Sequence, residues 1–210
     1  PRICFDSKVG PGYLVEFTQY FFNSINKDFQ IIKTPWLRAL DSLNKNKAEA
    51  ILSPTKKEGP KLVFPKQPIG YQQVCFFVRK ETKWRYNSLE SLKNDITSIR
   101  PDGFSLGEAN QMIKSLPKRH KILTGSSEIP RMAKILSLNR VKSFIYFKND
   151  TERFLKKNPS YKIKNAGCLK KEFIYLAFMP DINKELLKKF DKFMLEPKSK
   201  RMLKKLKDKY

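Results

Sequence analysis

Apolar and polar positions along this chain alternate between a two-residue and a helical period, and their order predicts a series of strands and helices. Arg2-Ile3-Cys4-Phe5-Asp6 reads as a first strand, followed by a Gly10-Pro11-Gly12 loop and an apolar helix over residues 13–25. A second strand covers residues 29–33. Pro35 then opens a helix on which Leu37, Leu40 and Leu43 recur at helical spacing, and residues 48–52 form a third strand that ends in a Ser53-Pro54 loop. This strand-helix-strand unit delivers a polar loop to the carboxyl edge of a sheet, where open α/β sheets bind ligands. A Lys/Gly/Pro-rich loop over residues 54–61 follows. Val74-Cys75-Phe76-Phe77-Val78-Arg79 is then a long β-branched and aromatic run without turn residues, which suits a strand that crosses between lobes.

A second α/β series begins at Asn87-Ser88-Leu89-Glu90, a capping-box pattern with an Asn cap and Glu three residues on. Residues 96–99 read as a strand, and Gly103-Phe104-Ser105-Leu106-Gly107-Glu108 as a turn into a helix reaching Leu116. His120–Leu123 is a strand, Ser126 or Ser127 caps a helix through Leu138, and residues 141–147 form another strand. Residues 172–178 are a return strand. Pro180-Asp181 opens a helix with Leu186, Leu187, Phe190, Phe193 and Met194 on one face, and Pro197 separates it from a last helix bearing Met202, Leu203 and Leu206. Alternation of this kind predicts mostly parallel sheets with helices on both faces.

The segment Thr34-Pro35-Trp36-Leu37-Arg38-Ala39-Leu40, the Tyr175-to-Pro180 run, Asn139-Arg140-Val141 before a strand and the final Lys207-Asp208-Lys209-Tyr210 resemble periplasmic solute-binding proteins of the amino-acid-binding type, the family 3 extracellular solute-binding proteins. The resemblance covers essentially the whole chain. It implies an α/β, two-lobed fold of the periplasmic-binding-protein type II, with two mixed, mostly parallel sheets joined by a two-strand hinge. Lobe one would comprise residues 1–77 plus 178–210 and lobe two residues 78–177. The implied function is capture of a small polar solute in an interlobe cleft by hinge closure, for an ABC importer, without catalysis and without a cofactor or metal. The implied setting is periplasmic or otherwise extracytoplasmic, as a monomer whose partners are the solute and an ABC permease or a membrane-bound sensor. The chain opens at Pro1 without Met or signal peptide, which is consistent with a leader removed or trimmed and excludes nothing about export. The alternative is a sensory or protein/membrane interaction module on the same scaffold, without small-ligand uptake.

Three anchors that the resemblance implies are missing together. Relatives clamp the ligand carboxylate with a Thr-x-x-Arg, and in register through Thr55 the Arg position falls on Glu58, a carboxylate that repels the group Arg holds. Lys56, Lys57 or Lys61 offer point charges there without the guanidinium fork. The amino-group Asp falls on Phe147, with Asp150 three residues later as a displaced stand-in, and the loop from Asp6 to Gly12 has no aromatic before Tyr13. A standard α-amino acid is therefore disfavoured as ligand.

The remaining candidate lining is Asp6, Trp36, Arg38, Ser53, Thr55, Ser105 and Phe147. Trp36 offers a broad apolar or cation-π surface, weighed against a core aromatic at the foot of a helix. Arg38 is an anion partner at the same helical start or a solvated helix residue. Ser53 and Thr55 follow a strand end and face either solvent or ligand. Ser105-Leu106-Gly107 supplies main-chain donors for an anion or an ordinary N-cap turn; the Gly103-to-Gly107 spacing is neither a Walker loop nor a dinucleotide fingerprint.

With 210 residues, 40% hydrophobic positions and 16 Phe, the chain can bury a real core. Its net charge of +24 invites a nucleic-acid reading, but only ten of the 44 basic residues are Arg, the bidentate reader of bases and phosphates, so nucleic acid is disfavoured. Charge of that size still draws acidic molecules or anionic membrane surfaces. Cys4, Cys75 and Cys168 show no zinc or redox spacing; Cys4 and Cys75 read as small buried hydrophobes, with one disulfide and one thiol left over as the alternative in an oxidising compartment. The single histidine, His120, lies in a basic loop entering a strand and reads as a surface residue with no catalytic partner.

Overall fold

The computed structural model describes residues 2–6, 12–59, 61–93, 97–102, 106–125, 127–181 and 184–209, with the side chains of Phe5 and Asp6 outside that description. The chain divides into two compact units, residues 1–71 with 173–210 and residues 72–172.

The first unit starts with β1 (Arg2–Asp6), α1 (Tyr13–Ser24), β2 (Gln30–Thr34), α2 (Trp36–Asn44) and β3 (Ala50–Leu52). β1 pairs in parallel with both β2 and β3, with Asp6 opposite Thr34. On α2 the buried stripe is Ala39 and Leu43 with Trp36 and Leu40 alongside, whereas Leu37 is 58% exposed. At 3.6 residues per turn, positions 36, 39, 40 and 43 share one face, so the Leu37 register was one residue off the buried stripe.

The second unit contains β5 (Val74–Arg79), β6 (Ser98–Pro101), α3 (Asn110–Lys114), β7 (His120–Leu123), α4 (Glu128–Ser137), β8 (Ser143–Phe147), α5 (Lys148–Lys157) and β9 (Ile163–Cys168). Its five-stranded sheet runs β7-β6-β8-β5-β9, parallel between β6 and its two neighbours and antiparallel on both sides of β5. Two expected caps take other forms. A 3-10 turn, Leu89–Lys93, replaces the Asn87 capping box, with Ser91 Oγ accepting the Asn87 N–H at 3.3 Å. Ser127 sits at φ 56° before α4 and makes no side-chain cap, and Ser126 lies outside the described residues.

β9 has no strand-like pattern in Ile-Lys-Asn-Ala-Gly-Cys. It forms because β5 accepts it across a register shift between Cys75 and Phe77, a bulge that needs the φ of 129° at Gly167. There the backbone passes so close to the Tyr86 carbonyl that a Cβ would overlap it. The same pairing sets Cys75 opposite Cys168, and the two form a disulfide. Cys75 is thus buried but not a free thiol; the free, buried one is Cys4.

Residues 172–178 break into two strands. β10 (Glu172–Ile174) pairs with β4 (Gly70–Gln72), and β11 (Leu176–Phe178) joins β3 antiparallel, making the first sheet β11-β3-β1-β2. α6 (Lys184–Leu195) and α7 (Pro197–Lys209) then close over α1. The contact is aromatic: Phe21 meets Phe190 at 4.8 Å between ring centroids and Phe193 at 5.1 Å, and Phe17, Phe22, Phe178 and Phe190 are at most 1% exposed. Each such burial contributes roughly 1.5–3 kcal/mol. No described helix is long and apolar enough to cross a membrane.

His120 is buried, 8% exposed, at the start of β7, which corrects the surface reading. The strand pattern exposes Lys121 and Ile122 instead, while the His120 ring turns inward to hydrogen-bond Ser98, its register partner on β6, through Nδ1. Nε2 has no partner. Burial, followed by the positive charges of Arg119 and Arg100, lowers its pKa from 6.5 to about 4.

Because the folded state resists protonating His120, its contribution is complete above the unfolded value of 6.5 and is lost as pH falls toward about 4. The loss amounts to about 3 kcal/mol over that window. Urea denaturation between those pH values is expected to show this slope, and His120→Asn to flatten it relative to the parent. For the disulfide, whose cysteines are 93 residues apart, Cys75→Ser/Cys168→Ser or reduction is expected to destabilise the chain by about 4 kcal/mol. Denaturation midpoints with and without reductant measure it, and an unchanged midpoint contradicts the pairing.

Candidate functional site

The parallel arrangement of β1, β2 and β3 brings three chain segments to one carboxyl edge of the first unit: the end of β1 at Asp6, the start of α2 at Trp36, and the loop after β3 carrying Ser53 and Thr55. Trp36 is half-buried and packs, with Leu62, Phe64 and Met179, against Cys4, Ala39, Leu43 and Ile51. It is thus a core aromatic that stays partly exposed. Arg38, two residues on and about 200° round the helix, is exposed on the face away from Trp36. The structure does not bring the two together.

Ser53 takes a left-handed backbone at φ 67°, turning the chain out of β3, and its N–H donates to the Tyr175 carbonyl at 2.8 Å. The Tyr175 N–H returns a bond to the Pro54 carbonyl at 3.2 Å. The site loop is therefore held by main chain from the returning segment. Tyr175 is 6% exposed, stands edge-on to Phe64 at 5.3 Å, and has the Lys56 ammonium over its ring at 5.4 Å.

Thr55 is 3% exposed, and both its N–H and its Oγ1 donate to Glu58 Oε2 at 2.9 Å, while the Glu58 N–H donates to the Thr55 carbonyl at 3.1 Å. Glu58 thereby closes a reciprocal capping turn on the loop that the resemblance assigns to a carboxylate clamp. A Thr hydroxyl committed to a carboxylate has no proton left for an incoming anion.

In the second unit Phe147 ends β8 opposite Val74, packs edge-on to Tyr146 at 5.5 Å, and bridges two hydrophobic clusters. Tyr146 Oη donates to Glu128 Oε2 at 3.1 Å, and Glu128, in the first turn of α4, is 6% exposed. Asp150 sits in the first turn of α5 with Arg153 at 3.7 Å. Burial raises its pKa and Arg153 partly opposes that. Ser105 and residues 7–11 lie outside the described residues, as does the Asp6 side chain. Among the described residues, no group of three or more His, Cys, Asp or Glu is placed to hold a metal.

Two residues at the first edge escaped sequence reasoning, Phe64 and Tyr175. Tyr175 opens a run that carries the family resemblance, but nothing in that run assigns it to the edge. Tyr175 joins the edge only because the return segment breaks into β10 and β11 at that residue.

No family model matches this sequence, and no curated protein matches it. Solved structures do match in fold. A histidine kinase sensor domain with similarity to periplasmic binding proteins aligns at TM-score 0.78 and 13% identity, covering 100% of this chain and 94% of that one. The structure that describes glutathione import via GshT and the cystine ABC importer TcyBC of Streptococcus mutans aligns at TM-score 0.78 and 20% identity, covering 100% and 93%. A putative L-cystine ABC transporter from Listeria monocytogenes aligns at 0.77 and 18%, covering 100% and 94%. The chain has the mixed α/β fold of periplasmic-binding-protein-like structures, from end to end.

Proposed function

We propose that this protein is a non-catalytic binding protein that captures a small polar solute outside the cytoplasm, at the carboxyl edge of its first unit. Trp36, Ser53 and Lys56, which lies over the buried Tyr175 ring, supply the contact surface. One observation carries this reading: the edge combines a partly exposed Trp36 with a loop pinned by main chain to Tyr175, while Glu58 has taken the Thr55 hydroxyl and N–H. A preorganised aromatic surface without a carboxylate clamp suits a solute recognised by stacking and neutral hydrogen bonds rather than an α-amino acid. The Cys75–Cys168 disulfide supports an oxidising compartment. An ABC permease is the proposed partner, with the protein acting as a monomer; Ser105, Asp6 and Phe147 stay proposed contacts, whereas Arg38, on the helix face away from Trp36, does not.

A second reading has a specific support, the likeness to a histidine kinase sensor domain. There the same binding step signals to a membrane-bound partner instead of feeding an importer. Both readings require a solute, so one measurement tests their shared premise.

Thermal-shift screening against polar metabolites at millimolar concentration is expected to find a stabilising solute; a ligand at a hundred times its Kd adds about 2.7 kcal/mol to the folded state. Trp36→Ala is expected to abolish that shift and, because the ring also packs on the core, to lower the ligand-free melting temperature by several degrees. Absence of a shift across sugars, peptides, amines and amino acids sinks the reading. Glu58→Ala strips Thr55 of both acceptor contacts and is expected to cost about 1–2 kcal/mol in urea denaturation, with faster amide exchange at the Thr55 N–H as its local signature.

A further inference from the structure

We propose that the solvent face of α6 and α7 is an electrostatic docking surface for an anionic lipid bilayer. Residues 184–209 are an eighth of the chain but hold eleven of its 44 basic residues against four acidic ones. They form two amphipathic helices whose apolar faces are already spent on the first unit: Leu186, Phe190, Phe193, Met194 and Leu206 are buried there. The charge that remains is consequently carried on a rigid, folded surface.

α7 is fixed along its flank by three contacts to α1. Lys198 lies over the Tyr20 ring at 6.0 Å, Lys207 over the Tyr13 ring at 5.8 Å, and Lys209 pairs with Glu16 at 2.8 Å. With those occupied, Lys200, Arg201, Lys204 and Lys205 share the outward face at i, i+1, i+4 and i+5, all exposed and without a carboxylate partner among the described residues. On α6, Lys184, Lys188 and Lys192 form an exposed stripe at every fourth position. Leu195, 57% exposed, continues that stripe to the junction with α7.

Three features select a bilayer over other polyanions. The face is six parts Lys to one part Arg, and ammonium groups act as point charges on a mobile phosphate surface, whereas base and phosphate forks need Arg. An exposed Leu among cations suits the headgroup-acyl boundary and gains nothing from a nucleic-acid backbone. The Cys75–Cys168 disulfide suits an oxidising compartment outside the cytoplasm, where a membrane face is an extended polyanion. Clusters of four to eight basic residues on one helix face are of the size that binds anionic lipid. This surface does not depend on the solute site, and either can fail alone.

The test uses the full chain and sedimentation with phosphatidylcholine vesicles, with or without phosphatidylglycerol as about a third of the lipid. Binding is expected only to the anionic vesicles, falling steeply as salt is raised. Changing Lys200, Arg201, Lys204 and Lys205 together to Gln is expected to weaken it several hundredfold, at about fivefold per cation, and Leu195→Ser a few-fold. The matched control, Gln at exposed Lys114, Lys118, Lys156 and Lys157, removes the same net charge from the other unit and is expected to leave most of the binding intact. Equal loss in both variants overturns the proposal, because net charge and not this face would then be responsible. Equal binding to neutral vesicles overturns it, as does tighter binding to duplex DNA that the α7 variant abolishes. The paired variant Lys200→Gln/Lys204→Gln, checked by its melting temperature, keeps the test decisive if the fourfold variant misfolds.

Discussion

A compact unit built from both ends of a chain holds only if the late segment buries enough apolar surface on the early one to offset the entropy of bringing distant residues together. Here that surface is phenylalanine. α1 presents Phe17, Phe21 and Phe22, α6 answers with Phe190 and Phe193, and Phe178 of β11 lies between sheet and helix. Loop closure grows only logarithmically with length, so a hundred-residue insertion adds a modest term that a few buried rings exceed. The place of β11 at the end of the first sheet, beside the carboxyl edge that carries Trp36 and Ser53, follows from that return.

The returning chain also shapes the edge chemically. β11 could have continued β10 as one strand; its break at Tyr175 sends a carbonyl and an N–H to Ser53 and Pro54 and lays an aromatic ring under Lys56. Beside it, Glu58 turns back onto Thr55. A residue that appears in the linear text as an electrostatic contradiction, a carboxylate where an anion would sit, is in three dimensions an internal cap. The absence of an amino-acid clamp is thereby a property of how the loop is folded as well as of which residues it holds.

The second unit relies on different constraints. Its sheet is closed at one side by β9, whose bulge at Gly167 and disulfide from Cys168 to Cys75 tie the first strand of the unit to its last. At the other side His120 and Ser98 meet across β7 and β6 in a row that continues to Ser143 on β8, all buried. Burial, helped by the charges of Arg119 and Arg100, keeps that histidine neutral, so the inner row is polar but uncharged at neutral pH.

Local pattern was enough for most elements. The alternation in Arg2–Asp6, the Phe-rich helical period before Ser24, the uninterrupted run Val74–Arg79 and the paired C-terminal amphipathic helices each read correctly, because burial of one face imposes a period on the residues themselves. Trp36, Ser53 and Thr55 were also legible, since a helix start and a strand end must lie at a sheet edge. What pairing across long separations creates was not. β9 carries Lys, Asn and Gly and becomes a strand only against β5; Cys75 meets Cys168, His120 turns inward to Ser98, and Phe64 and Tyr175 reach the Trp36 edge through contacts with no trace in neighbouring residues. Such features depend on register between segments, and a shift of a single residue would reverse which side chains face in. Periodicity records which face of an element is buried, whereas the identity of what it is buried against exists only once the chain has closed on itself.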